Sequence, residues 1–189
     1  MKTKIDLKFG DCFTEVLNMG GNSVDAVITD PLYNLDANSK KFLLTEFFRI
    51  CGGHILIFCQ PENLWAAPNY LFWVKPTSTK NFSRSHGRFV EMIAHFPRGK
   101  IFNSNTYWAN MTGVYFDILE GERIHQYQKP LSLIERLIKI HTMPGDTVFD
   151  GFAGSGTTAV ASKRLDRNFI GFENDKVSYQ LALDRIKGN

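Results

Sequence analysis

The sequence predicts an α/β fold, a doubly wound and mostly parallel sheet with an antiparallel strand pair, and three observations carry that expectation. Strand-like segments alternate with helical ones, the strands are apolar without strict period-two alternation, and a glycine-rich turn joins a strand to a helix near the C-terminus. Strands buried on both faces read as continuous apolar runs, as in a parallel sheet covered by helices on each side.

Ile5 to Phe9 alternates like a strand, and Gly10-Asp11 leads into a helical stretch with Phe13, Val16 and Leu17 on one face, broken at Gly20-Gly21. A second strand, Val24 to Thr29, stops at Asp30-Pro31, because proline cannot continue a ladder and restricts the residue before it. The spacing of Leu43, Phe47 and Ile50 predicts a helix from about Lys40, stopped by Gly52-Gly53 ahead of the apolar strand His54 to Cys59. Tyr70 to Lys75 and Arg88 to Phe96 read as an antiparallel pair separated by Pro76 and a basic loop, while residues 97 to 128 carry no pattern that assigns them. Pro130 opens a helix bearing Leu131, Ile134, Leu137 and Ile138, and the turn Met143-Pro144-Gly145-Asp146 leads into the strand Thr147 to Asp150. The remainder reads as glycine-rich turn, helix to about Arg164, strand Asn168 to Phe172 and a last helix from Asp175.

With 189 residues, 43% of them hydrophobic and 22% charged, the composition is that of one globular domain over residues 1–189 and excludes a disordered or collagen-like chain. Apolar runs such as Ile55 to Cys59 are strand-sized, far below the roughly 18 residues of a membrane span. The charged opening Met1 to Asp6 is unlike a secretory leader. Cys12, Cys51 and Cys59 are odd in number and lack C-x-x-C spacing, the usage of a reducing compartment. The expectation is a cytoplasmic protein with no membrane partner, no disulfide and no metal.

Lys75, Lys80, Arg84, Arg88, Arg98 and Lys100 share their stretch of chain with one acid, Glu91, although the formal net charge of the whole is only +3. Interleaved with Phe82, His86 and Phe89, these cations suit a polyanion, whose phosphates they neutralise while aromatics stack on bases. A solvated basic loop is the plainer alternative.

Two turns carry chemistry. In Asp150-Gly151-Phe152-Ala153-Gly154-Ser155-Gly156-Thr157-Thr158-Ala159 the glycines let the backbone approach a ligand, and free N–H groups at the helix start favour an anionic group. Gly154-x-Gly156-x-x-Ala159, with Glu173 ending the next strand, fits a dinucleotide fingerprint. Asp150 at the strand end is awkward for a pyrophosphate and suits a cation, such as the ammonium of an amino-acid cofactor. The second turn, Asp30-Pro31-Leu32-Tyr33-Asn34, lies at a strand C-terminus, where open α/β sheets bind ligands. An aromatic amine is a poor nucleophile because its lone pair is delocalised. Accepting its two hydrogens on the Asp30 carboxylate and the Pro31 carbonyl favours a pyramidal nitrogen, and Tyr33 can stack on the base swung out to reach it.

On these residues the chain resembles the amino-DNA methyltransferases of the β group, in which the catalytic motif precedes the cofactor motif. Asp150 to Thr158 is similar to that group's D-P-F-A-G-S-G-T-T, and Asp30 to Asn34 to its D-P-P-Y-N. Gly10-Asp11-Cys12 matches a G-D-C that faces adenine of the cofactor, His125-Gln126-Tyr127-Gln128-Lys129-Pro130 is similar to H-P-x-Q-K-P, and Ile170-Gly171-Phe172-Glu173 resembles the ribose-binding strand end. The resemblance implies a Rossmann-like methyltransferase fold with permuted motif order, S-adenosylmethionine as cofactor, and DNA as partner. It implies a catalytic set of Asp30, Pro31, Leu32 and Tyr33, and a cofactor set of Asp11, Cys12, Lys129, Asp150, Gly151, Phe152, Ala153, Gly154, Ser155, Gly156, Thr157, Glu173 and Asn174. The candidate nucleic-acid contacts are Lys75, Lys80, Arg84 and Arg88.

The implied reaction is direct methyl transfer to an exocyclic base amine, in a restriction–modification context, without the covalent intermediate for which cytosine-carbon methylation uses a Pro-Cys turn. Asp in the first position of the catalytic turn is commoner among the family's adenine enzymes, which favours adenine over the cytosine amine. Leu32 replaces the second proline and is expected to loosen the turn, whereas Gly151 in place of proline is expected to matter little. Residues 76–126 hold the basic loop and a reduced target-recognition region, with fewer than 30 residues between Phe96 and His125. A short target site, relaxed specificity or a homodimer would each be compatible. Competing readings are an RNA or protein-amide methyltransferase, a catalytically impaired DNA-binding relative, and an NAD oxidoreductase.

Overall fold

The computed structural model describes residues 3–75, 90–102, 113–118 and 128–188. Among these residues the strands are β1 (Ile5–Phe9), β2 (Val24–Thr29), β3 (Cys51–Cys59), β4 (Asn69–Val74), β5 (Val90–Phe96), β6 (Val114–Tyr115), β7 (Thr147–Asp150) and β8 (Asn168–Glu173). The helices are α1 (Cys12–Glu15), α2 (Ala37–Ile50), α3 (Leu131–His141), α4 (Thr157–Arg164) and α5 (Lys176–Gly188). The strands form one sheet in the order β1-β8-β7-β2-β3-β5-β4-β6.

From β1 through β3 every neighbouring pair is parallel. β5 then runs antiparallel to both β3 and β4, and β6 is parallel to β4. This is the mostly parallel sheet with an antiparallel pair that the sequence predicts. The chain leaves β7 through α4 toward β8 and leaves β2 through α2 toward β3. Adjacent β7 and β2 therefore send their connections in opposite directions, which opens a crevice at their C-terminal ends, where such sheets bind ligands.

Both faces of the sheet are covered, and β3 shows why its sequence does not alternate. Ile55, Ile57 and Cys59 pack with Leu43, Phe47 and Ile50 of α2. Leu56 and Phe58 pack on the other side with Leu133, Leu137 and Ile138 of α3. A strand buried on both sides needs apolar residues at successive positions.

Three boundaries differ from the sequence reading. α2 starts at Ala37, because Asp36 accepts a hydrogen bond from the Ser39 N–H at 2.8 Å and caps the helix a turn earlier. Gly52-Gly53 stay within β3, where a Cβ on Gly53 would collide with the Asp25 carbonyl of β2. The stretch after Asp11 divides into α1 and a 3-10 turn, Val16–Asn18, which buries Val16 but leaves Leu17 56% exposed. The basic-loop cations Lys80, Arg84 and Arg88, and most of the target-recognition region expected in 76–126, lie outside the described residues. No helix among the described residues is long and apolar enough to cross a membrane. Cys12, Cys51 and Cys59 are buried, unpaired thiols.

Candidate active site

A cavity of about 610 Å3 occupies the crevice beyond the ends of β7 and β2. One wall is the glycine-rich turn Asp150 to Ser155 with Thr157, Glu173 and Asn174, and the opposite wall is Asp30 to Asn34. Cys12 and Lys129 also line it. The fold thus brings the two turns singled out in the sequence onto one space.

Asp150 joins the two walls. Its Oδ1 accepts hydrogen bonds from the Thr29 hydroxyl at 2.8 Å and the Phe152 N–H at 3.0 Å, and its Oδ2 accepts from the Thr158 hydroxyl at 2.7 Å. Burial, only partly offset by these three donors, pushes its carboxyl up to about 6. The turn that follows uses glycine where geometry demands it: Gly154 and Gly156 adopt left-handed φ values of 52° and 75°. A Cβ on Gly156 would also come within 2.9 Å of the Ala182 Cβ, so this glycine sets the packing of the turn on α5.

Glu173 fastens the turn from the next strand. Its Oε2 accepts from the Gly154 N–H at 2.7 Å and its Oε1 from the Asp175 N–H at 2.8 Å. Cys12 approaches from α1, and burial, reinforced by Asp150 and Asp11, pushes its thiol well above the ordinary range, so it stays protonated. A Cβ on Gly151 would overlap the Cys12 sulfur. In this chain the Cys12 sulfur thus occupies the space beside residue 151 that a larger side chain would share.

The opposite wall is an ionic network. The Lys129 ammonium lies 2.7 Å from Asp30 Oδ2 and 2.5 Å from Glu91 Oε1, and it donates to the Tyr33 hydroxyl at 3.4 Å. Tyr33 donates in turn to Glu91 Oε1 at 3.1 Å, and Lys75 pairs with Glu91 Oε2 at 2.7 Å. The Asn63 amide holds the Tyr33 carbonyl at 3.1 Å, which pins the turn from behind. Burial resists ionisation of Glu91, but Lys129 and Lys75 together outweigh it and hold its carboxyl below the usual value. At Asp30 burial dominates and Glu91 adds to it, while Lys129 and the Tyr33 hydroxyl offset them only in part, so its carboxyl is raised. Asp30 Oδ1 is buried and has no hydrogen-bond partner.

The structure relocates four of the sequence candidates, the first being Lys129, which was expected among the cofactor contacts and is instead committed to Asp30 and Glu91 on the catalytic wall. Asp11 turns its carboxylate to its own helix, accepting from the Phe13 N–H at 3.0 Å, and does not line the cavity; Gly156 also sits behind the lining. Lys75, expected to contact nucleic-acid phosphates, is committed to Glu91 and lies over the Trp73 ring at 4.7 Å. Glu91, Thr29 and Thr158 escaped the sequence reading. Only Glu91 carried a signal, as the lone acid among the cations and within an otherwise apolar strand.

Residues 24–184 match the family model described as DNA methylase. The Type II methyltransferase M.HindIII of Haemophilus influenzae is 40% identical over 92 residues, which make up 44% of this chain and 30% of that protein. The Type II methyltransferase M.BglI of Bacillus subtilis is 45% identical over 80 residues, 42% of this chain and 23% of that protein. The matches thus span less than a third of these curated relatives. Among solved structures, the M1.HpyAVI–SAM complex superimposes with a TM-score of 0.77 at 29% identity, covering 96% of this chain and 99% of that one.

Proposed function

Since this chain belongs to the N6/N4 DNA methylase family, we propose that it transfers a methyl group from S-adenosylmethionine to an exocyclic amine of a DNA base, adenine being favoured. The observation that carries the reading is the Asp30 carboxylate: Oδ2 is fixed by Lys129, while Oδ1 is buried, unpartnered and part of a residue lining the cavity. An acceptor left open in a desolvated place is costly unless a donor arrives, and an amine N–H is such a donor.

The residues of the other wall fit the cofactor. A cavity of about 610 Å3 falls within the roughly 300–1,000 Å3 of small-molecule sites. Asp150 offers a carboxylate to an ammonium, Glu173 one to a ribose diol, and the glycine turn lets the backbone close in. When bound, S-adenosylmethionine supplies an electrophilic methyl group. The protein's part is to position and polarise the amine: Asp30 Oδ1 accepts one N–H, the Pro31 carbonyl the other, and Tyr33 stacks on the extruded base. The amine nitrogen would gain the methyl as its bond to the cofactor's sulfonium breaks, leaving the neutral thioether, and would shed a proton, which the Asp30 carboxylate accepts. Lys129 holds Asp30 in place, and Glu91 holds Lys129.

The test is incubation with unmethylated DNA and methyl-labelled S-adenosylmethionine, followed by nucleoside mass spectrometry, with Asp30→Ala as control. Methyladenine that disappears in the variant supports the reading. N4-methylcytosine moves the target to the other amine. No product despite cofactor binding points to an RNA substrate or to a turn disabled by Leu32.

A further inference from the structure

Three histidines meet in the half of the sheet away from the cavity. His54 near the start of β3, His95 near the end of β5 and His141 at the end of α3 are 1%, 5% and 4% exposed. Each offers a ring nitrogen, and the three atoms lie within 4.8 Å of one another. The antiparallel register sets His95 opposite Leu56, so His54 and His95 are diagonal neighbours on the face that α3 covers. Methyl transfer at the opposite strand ends makes no use of them.

Their hydrogen bonds fix two of the three tautomers. His141 Nδ1 lies 2.8 Å from the Leu137 carbonyl, and His54 Nε2 lies 3.1 Å from the Lys100 carbonyl. A carbonyl only accepts, so both nitrogens carry hydrogen, and the lone pairs fall on His141 Nε2 and His54 Nδ1. His54 Nδ1 is 3.0 Å from His95 Nε2, which therefore donates to it in the ion-free state. A ring N–H anchored on a backbone carbonyl, with the other nitrogen free, is the arrangement in which metal-ligating histidines are held.

We propose that His54, His95 and His141 form a site for a divalent transition-metal ion of the zinc class, with solvent as a fourth ligand, tying the end of α3 to β3 and β5. An all-imidazole set suits zinc, nickel and copper rather than magnesium or calcium. On binding, the His95 proton moves from Nε2 to Nδ1 by exchange with solvent, and the ring stays neutral. The negative end of the α3 dipole, where His141 sits, favours a cation. Zinc–nitrogen bonds of about 2.0–2.1 Å place tetrahedral ligand atoms roughly 3.4 Å apart, so binding would open the 3.0 Å His54–His95 pair by a few tenths of an ångström and close the wider separations, which reach up to 4.8 Å. Because α3 begins directly after Lys129 and Pro130, the ion would brace the far end of the helix that follows the catalytic wall.

The experiment is a Co2+ titration of the tag-free, chelator-treated full chain, read by visible d–d absorption and competed with Zn2+. The site predicts intense tetrahedral bands saturating at one ion per chain, bleached by Zn2+, with a higher Tm in Zn2+. His141→Phe, which keeps a ring of similar size, and His95→Gln should each abolish the bands while leaving S-adenosylmethionine binding within about threefold. Absence of stoichiometric bands in the wild type overturns the proposal, whether or not the variants fold. Bands that persist in both variants place the ion elsewhere and overturn it equally.

Discussion

The ammonium of Lys129 stands 2.7 Å from Asp30 Oδ2 and is itself buried, at 8% exposure. This contact leaves Asp30 with one oxygen satisfied and one open. Loss of the carboxylate should therefore remove the amine acceptor without disturbing the cofactor wall. Asp30→Ala is expected to lower methyl transfer by about 10²–10⁴-fold, the range for a positioned proton acceptor. S-adenosylmethionine affinity by calorimetry should change by less than about threefold. Gly154→Val should do the reverse, because a β-branched residue at φ 52° distorts the cofactor turn. Equal losses of binding and transfer in Asp30→Ala would contradict the division of labour between the walls.

Lys129 also keeps two carboxylates from facing each other unneutralised. Lys129→Met should leave Asp30 with no cation and Glu91 with Lys75 alone, raising both carboxyls. Removing one partner from a buried ionic network costs about 3–5 kcal/mol, read by urea denaturation. Residual kcat/KM should show its acidic limb at higher pH than in the wild type, since protonation of Asp30 then competes earlier. Adding Glu91→Gln should recover part of the stability, and the double-mutant cycle measures the coupling. Strict additivity would mean that Glu91 and Lys129 do not act as a pair.

These two predictions rest on residues that differ greatly in how readable they were. The Asp30 turn and the glycine turn announce themselves locally, because proline, glycine and strand ends are written in adjacent residues. The mostly parallel character of the sheet followed from the same alternation, and the antiparallel pairing of β4 with β5 from two strand-like runs separated by Pro76 and a basic loop, while the order of the strands is a long-range property that no local pattern carries. Glu91 was visible only as an unexplained acid, since its partners, Lys75 and Lys129, come from other segments and meet it only when β4, β5 and the start of α3 converge. Thr29 and Thr158 were silent for the same reason: a threonine ending a strand or inside a helix reads as ordinary until Asp150 lies between them. Lys75 was misread because charge alone cannot say whether a cation faces solvent or a buried acid.

Asp150 provides a pH test. Its carboxyl is raised from the unfolded value of 3.8 to about 6, so the folded state binds more protons between these pH values. Stability of the cofactor-free protein is thus greatest below about pH 4 as far as this group is concerned and falls as pH rises through about 6. The ionised form is disfavoured by on the order of 3 kcal/mol, which an ammonium can recover. S-adenosylmethionine affinity should accordingly rise with pH up to about 6 and then level off. Asp150→Asn should flatten that dependence, and an unchanged profile in the variant would remove Asp150 from cofactor binding.

Gly151 and Cys12 form a matched pair whose relation can be tested without any assay of activity. The Cys12 side chain is 2% exposed and fills the space a Cβ at 151 would need. Gly151→Ala should lower stability by about 1–3 kcal/mol, the usual cost of overpacking a closed site, and Gly151→Pro by more, because the ring adds further atoms beside the sulfur. Cys12→Ala opens a small void at modest cost. If the two positions compete for one volume, Gly151→Ala combined with Cys12→Ala should be more stable than the sum of the single losses allows, by about 1 kcal/mol or more in urea titrations. Additive losses would show that the turn yields instead of the sulfur.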